Sequence, residues 1–451
     1  MEKEELLTIV TDFYLSKRDF NGFPIHKLVY LLIPETTSSP EAPLIKFITS
    51  EEVIEKIDKC KGKVQELIVP LVDAELLTVL FGDLHPNPHI KAFRDEPKDN
   101  VLKKIDTDLL AHACLYPASK HLVEAVDITE YADKPFTLEL ALGAGQLEFN
   151  TFDLTVLERY RNDPRYFYEA DDIAGRICIN SEFYKSEEMD DHDKILLESF
   201  GFAYNDNSDR AVAAFNIYLN RLSPEHQQWW NLKKTKEPYK LHPDYYRTSI
   251  LGSWRKGTSI FTAFLFEQKA INEICDQINR PKFFRDLYTD DKRPREFSFM
   301  LRPTAKEFQD FALLLDKMMS DNINKAFFMN DVPKEEDRPR KDGKIVVVQI
   351  GTIRMLEMWL NKLFKANKPN PVSDVIGKFK AIRKERQPVA HQIDDNTFNQ
   401  EYYHRQRKLI ISAYEAVNAL RNILSSHPKA VGYTPLTVIE KPTPADGVGP
   451  R

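Results

Sequence analysis

Between residues 301 and 430, apolar side chains recur at three- and four-residue spacings in one segment after another. Such stripes can be buried only if helices pack side by side. TAKEFQDFALLLDKMMSDNINKAFF puts Phe308, Phe311, Leu315 and Met318 at that spacing, which predicts a first helix. The charged stretch DVPKEEDRPRKDG, with two prolines, reads as an exposed linker. GKIVVVQIGTIRMLEMWLNKLFKA predicts a second helix, and SDVIGKFKAIRKER a third with Ser373 as N-cap. NTFNQEYYHRQRKLIISAYEAVNALRNILSS predicts a long fourth. The expectation is a helical bundle over 301–430, followed by a loose Pro/Gly-rich tail over 431–451.

The preceding 300 residues carry weaker patterns. Residues 1–135 read as an α/β region, rich in helix with short strands. In FITSEEVIEKI, Thr49 or Ser50 is placed to cap a helix. The order helix, strand, turn that follows is compatible with a winged-helix-like unit, although a plain α/β scaffold is the favoured reading. Residues 136–300 read as a mixed α/β region that senses a trigger or positions RNA. FTLELAL alternates as a half-buried strand does, DDIAGRICINSEF reads as a second strand, and helical periods return over 191–232. The fold class expected is therefore mainly α, with an α+β N-terminal part. Trp229, Trp230, Tyr245, Tyr246 and Trp254 are interleaved with Lys233, Lys234, Arg247 and Arg255. They could stack on bases, but core packing is the favoured role.

Overall charge excludes little. The chain of 451 residues has a net charge of −6. Its distribution says more: from Pro371 to Ala430 there are 10 Lys+Arg against 6 Asp+Glu, a net of +4. A local basic region can attract a phosphate backbone. The four cysteines, Cys60, Cys114, Cys178 and Cys275, form no C-x-x-C pair. No zinc site, disulfide framework, metal or cofactor is expected, and a reducing cytoplasm is the natural compartment. The opening MEKEELLTIV lacks the order of a signal peptide. No run approaches 18 apolar residues, so no membrane partner is expected.

The stretch RKERQPVAHQ, residues 383–392, carries the candidate chemistry. On a helical wheel Val375, Ile376, Phe379 and Ile382 form an apolar stripe, and Arg386 returns to about 20° from Val375. A guanidinium there needs a carboxylate or a bound anion. Pro388 disfavours helix at Gln387 and suits the first position of a new turn. His391 then falls near free N–H groups that favour a phosphate.

An arginine and a histidine at one phosphate are compatible with a metal-free ribonuclease site, because RNA brings its own 2′-OH nucleophile. Imidazole can move the protons, and guanidinium can stabilise the five-coordinate phosphorus. Arg383 and Gln387 would support the pair. The same Arg-x4–6-His spacing occurs twice more. Arg221 and His226 lie in RLSPEH, where Ser223 and Pro224 read as a helix start. Arg421 and His427 lie in RNILSSH, with Arg421 about 120° from the middle of the apolar face. This second-choice pair reads as a solvated arginine and a histidine favoured by the helix C-terminus.

The bundle with R-Q-P-V-A-H ahead of a long last helix resembles a HEPN domain. The likeness covers the last quarter of the chain. It implies an Arg-x4–6-His endoribonuclease, with Arg386 and His391 as the catalytic pair in the cleft of a homodimer. It also implies a toxin, abortive-infection or antiviral defence setting, with a regulatory protein partner or phage trigger acting through the N-terminal region. Gln387 departs from the Asn, Asp or His often found after the family arginine. A different reading is a non-catalytic RNA-binding or assembly module. In that case Arg386 pairs with Asp394 or Glu401, and His391 is a core residue. A DNA-binding regulator fits least, since the N-terminal region shows no basic recognition helix.

Overall fold

The computed structural model describes residues 1–32, 50–171, 173–207, 209–253, 258–289, 292–339, 344–364, 371–386, 395–430 and 432–434, the side chains of 50–58 and Asp108 apart. The chain divides into two compact units, each built from several stretches of sequence. One comprises Met1–Asp153, Cys178–Phe200 and Val212–Lys236. The other comprises Leu154–Ile177, Gly201–Ala211 and Glu237–Arg451.

The first unit opens with α1 (Lys3–Ser16), β1 (Phe23–Pro24), α2 (Ile25–Leu32), α3 (Ser50–Asp73), β2 (Leu77–Leu80), α4 (Lys98–Ile105) and β3 (Cys114–Pro117). β3 is the central strand of an antiparallel sheet, with β1 on one side and β2 on the other. Its register sets Leu115 opposite Phe23 and Val79. Leu6, Val10, Leu28, Ile68 and Leu115 are buried together, so the helices cover the sheet with their apolar stripes. Residues 81–113, including α4, connect β2 to β3. Later in this unit α5 (Pro135–Ala141) precedes β4 (Phe149–Phe152), which pairs antiparallel with residues 212–215. α6 (Pro224–Leu232) follows.

The second unit is dominated by helices α7 (Ile260–Gln277), α8 (Ala305–Met318), α9 (Thr352–Leu363), α10 (Pro371–Arg386) and α11 (Glu401–Ser425). They share one apolar core that runs from Ile260 to Ala430. α7 packs on α11, and α10 packs on α8, α9 and α11. The core therefore begins well before the change of character near residue 300. α7 is buried on most of its circumference, with Lys269 and Asp276 left exposed.

Several segments differ from the sequence expectations. FTLELA lies in α5 and Leu142 is its C-cap, with Pro135 at the start fixing a helical φ. Leu196–Tyr204 and Arg210–Phe215 are strands where helical periods were read. The charged linker and the front of the expected second helix form a hairpin, Glu335–Pro339 with Ile345–Gln349. The β-branched run IVVV favours that outcome. α10 begins at Pro371, so Ser373 lies inside the helix and is not its cap. Trp230 and Tyr245 are core residues, whereas Tyr246 is exposed. Thr49, Trp254, Arg255 and the tail from 435 lie outside the described residues.

Candidate functional site

Arg383 and Arg386 continue the apolar stripe of α10 through its last turn. Val372, Val375, Phe379 and Ile382 of that stripe are buried. The helix facing them is α8, whose Phe308, Phe311, Ala312 and Leu315 are buried in turn. On α8 the next residue round the wheel from this stripe is Asp316, about 100° from Leu315. Just past the helix end lies Asp321, whose backbone N–H donates to the Asp316 carbonyl at 3.2 Å. The two arginines thus meet two aspartates where the apolar seam ends.

The geometry is specific. Nη1 of Arg386 donates to Asp316 Oδ2 and to Asp321 Oδ2, each at 2.8 Å. Nε of Arg383 reaches Asp316 Oδ2 at 3.3 Å, and its Nη2 donates to Asp321 Oδ1. Asp316 has 0% side-chain exposure, against 37% for Arg386. The hydrogen bond to Asp316 raises the pKa of Arg386, opposed by desolvation, so its charge is permanent. Among the described residues, Nε and Nη2 of Arg386 take no hydrogen-bond partner.

The predicted alternatives for this guanidinium were Asp394 or Glu401. The observed partners are Asp316 and Asp321, 70 and 65 residues upstream. Asp394 lies outside the described residues, as do Gln387, Pro388 and His391. Arg383, expected to support Arg386, shares both of its carboxylates.

The other two Arg/His spacings resolve differently. Arg421 was expected in solvent, but its Nε donates to Glu267, which is fully buried on α7. Nδ2 of Asn418 holds the other Glu267 oxygen at 2.6 Å. His427 is exposed, and its Nδ1 accepts from the Lys429 N–H at 3.1 Å. In the first unit, Arg221 is gripped by Asp19 and Glu198, and buried His226 meets Asp193 at 2.9 Å. Ser223 does occupy the N-cap of α6, with Pro224 first in the helix.

Among the described residues no group of three or more His, Cys, Asp or Glu is arranged to hold a metal, and no helix is long and apolar enough to cross a membrane. Compared with known proteins, the chain matches no family model, no curated protein and no solved structure. Asp316 and Asp321 are the site residues that sequence reasoning missed. An acidic residue at the edge of an otherwise apolar stripe, opposite a stripe that ends in arginines, was the available signal.

Proposed function

We propose that the protein is a metal-independent endoribonuclease that uses Arg386 and His391 in a dimeric, HEPN-like bundle. The observation that supports this reading is how Arg386 is held. Two carboxylates fix one nitrogen of the guanidinium, while Nε and Nη2 stay uncommitted among the described residues. A guanidinium anchored in this way can present its remaining donors to two phosphate oxygens with little loss of side-chain freedom.

The chemistry follows from RNA itself. The 2′-oxygen attacks phosphorus and its proton passes to a neutral imidazole. The bond from phosphorus to the 5′-oxygen breaks, and an imidazolium supplies the proton that this oxygen needs. The products are a 2′,3′-cyclic phosphate and a 5′-OH. Two copies of His391 in a dimer would divide the base and acid roles, and Arg386 would offset the charge that builds on the phosphoryl oxygens.

The deciding experiment is incubation of purified protein with RNA in EDTA, with analysis of product ends. Cyclic phosphate or 3′-phosphate ends are expected, and a 2′-deoxy substitution at the scissile position should block the cut. A strict need for Mg²⁺, or efficient cutting of DNA, would refute the mechanism.

A second reading is favoured by the charge balance at the same place. Two arginines face two aspartates, so the cluster is neutral without any ligand. On that reading it fixes the register of α8 against α10 in a non-catalytic RNA-binding or assembly module.

A further inference from the structure

The geometry points to a separate binding site, for a small compound bearing two or more phosphate groups, in a cleft of about 370 Å³ in the first unit. It does not depend on the roles given to Arg386 and His391. The cleft lies beside the C-terminal end of α1, the start of α5 and the turn before α6. Lys17, Arg18, Lys134 and Arg221 line it, and none of its lining residues is an Asp or Glu.

These four cations are not equivalent. Arg221 is matched within the fold: Asp19 takes its Nε at 3.0 Å and its Nη2 at 2.8 Å, and Glu198 takes Nη1. Lys17, Arg18 and Lys134 have no carboxylate partner among the described residues. The Lys17 ammonium already rests over the Phe13 ring, 4.5 Å from its centroid, which leaves Arg18 and Lys134 as the cations to be matched. Two such cations at one concavity repel each other, and a polyanion would relieve that repulsion.

Helix ends explain only part of the arrangement. Lys17 and Arg18 follow the last turn of α1, where the dipole favours positive charge. Lys134 occupies the N-cap of α5, where the same dipole disfavours it. The first free N–H groups of α5 are already used, since Gln227 Oε1 accepts from Phe136 N at 3.1 Å and from Thr137 N at 3.2 Å. Lys134 therefore has no structural partner there, and an incoming anion would be held by side chains.

Size selects a small ligand. The volume falls at the lower end of small-molecule pockets, about 300–1,000 Å³. A nucleic-acid strand would need a longer basic track. Leu15, Phe20 and Tyr131 add an apolar wall, which could take the flat face of a base.

Calorimetry on the full chain tests this with ATP, tripolyphosphate and a short single-stranded oligoribonucleotide as probes. ATP or tripolyphosphate should bind saturably. The Arg18→Ser/Lys134→Ser variant should weaken that binding by about tenfold or more. Lys63→Ser/Lys236→Ser removes the same charge elsewhere in the unit and should leave it unchanged. Tighter binding of ATP assigns the site to a nucleotide, and equal binding assigns it to inorganic polyphosphate. The proposal is overturned if neither probe saturates in the millimolar range. It is also overturned if both double variants lose affinity equally, or if only the oligoribonucleotide binds.

Discussion

Asp316 of α8 and Arg386 of α10 meet at 2.8 Å, the aspartate with no exposed side chain and the arginine more than a third exposed. The buried member fixes the exposed one. Asp316→Ala should therefore destabilise the protein, by about 1–3 kcal/mol, because two arginines lose their inner carboxylate. Asp321, 42% exposed, should cost less than about 1 kcal/mol when changed to Ala. Urea unfolding of both variants checks the order, and equal losses would contradict an inner anchor.

Arg386→Lys separates the two readings of the site. Lysine keeps the charge but loses the fork that can hold carboxylates and phosphate together. If the site is catalytic, both Arg386→Lys and His391→Ala abolish RNA cleavage in protein that still folds and dimerises. Loss of proton transfer by His391 should lower the rate about 10²–10⁴-fold. His427→Ala should leave it near wild type. Cleavage and melting curves on the same preparations are the measurement, and an undiminished rate in His391→Ala rules out its assigned role.

Glu267 on α7 depends on Arg421 in a different way. It is buried, and Arg421 is its cationic partner. Arg421→Ala should cost about 3 kcal/mol, since it strands a buried carboxylate. Adding Glu267→Gln should recover part of that loss, because the amide needs no counter-charge. Denaturant midpoints of the single and double variants report this, and no recovery would mean that packing dominates the effect.

Acid should weaken the bundle through Asp331. Burial opposes its charge, but hydrogen bonds from Arg280 at 2.7 Å and Trp359 at 3.0 Å outweigh that, so its pKa lies below the usual carboxylate value. A depressed pKa contributes stability above the unfolded value of about 3.9, and this is lost as pH falls through the folded one. Asp331→Asn should therefore flatten the loss of stability below about pH 4. Urea unfolding at several acidic pH values tests it, and parallel slopes for the two proteins would count against the assignment.

The sequence made the bundle readable wherever one face of a helix was apolar and the other was not. α8, α10 and α11 fall where their stripes place them. α7 falls in the region expected to be mixed, although Lys269, Glu273 and Asp276 recur along it at helical spacing. The hairpin at 335–349 was read as linker and helix, since charge in EEDRP masked a strand and IVVV ran straight into a true helix. Arg386 was legible as a residue in need of a partner. The identity of that partner was not, because a contact across 70 residues leaves no mark in local spacing.

The division of the chain also sets an order of events on the ribosome. Residues 154–177 and 201–211 belong to the unit completed by 237–451, yet they emerge among stretches of the other. At about 5–20 residues per second, they wait roughly 12–55 s for the rest of their unit to be synthesised. Over that interval the nascent chain carries two strand-forming segments whose own unit does not yet exist, including Tyr166–Ala170 with its alternating buried aromatics. Slower synthesis beyond residue 236 lengthens that interval in proportion.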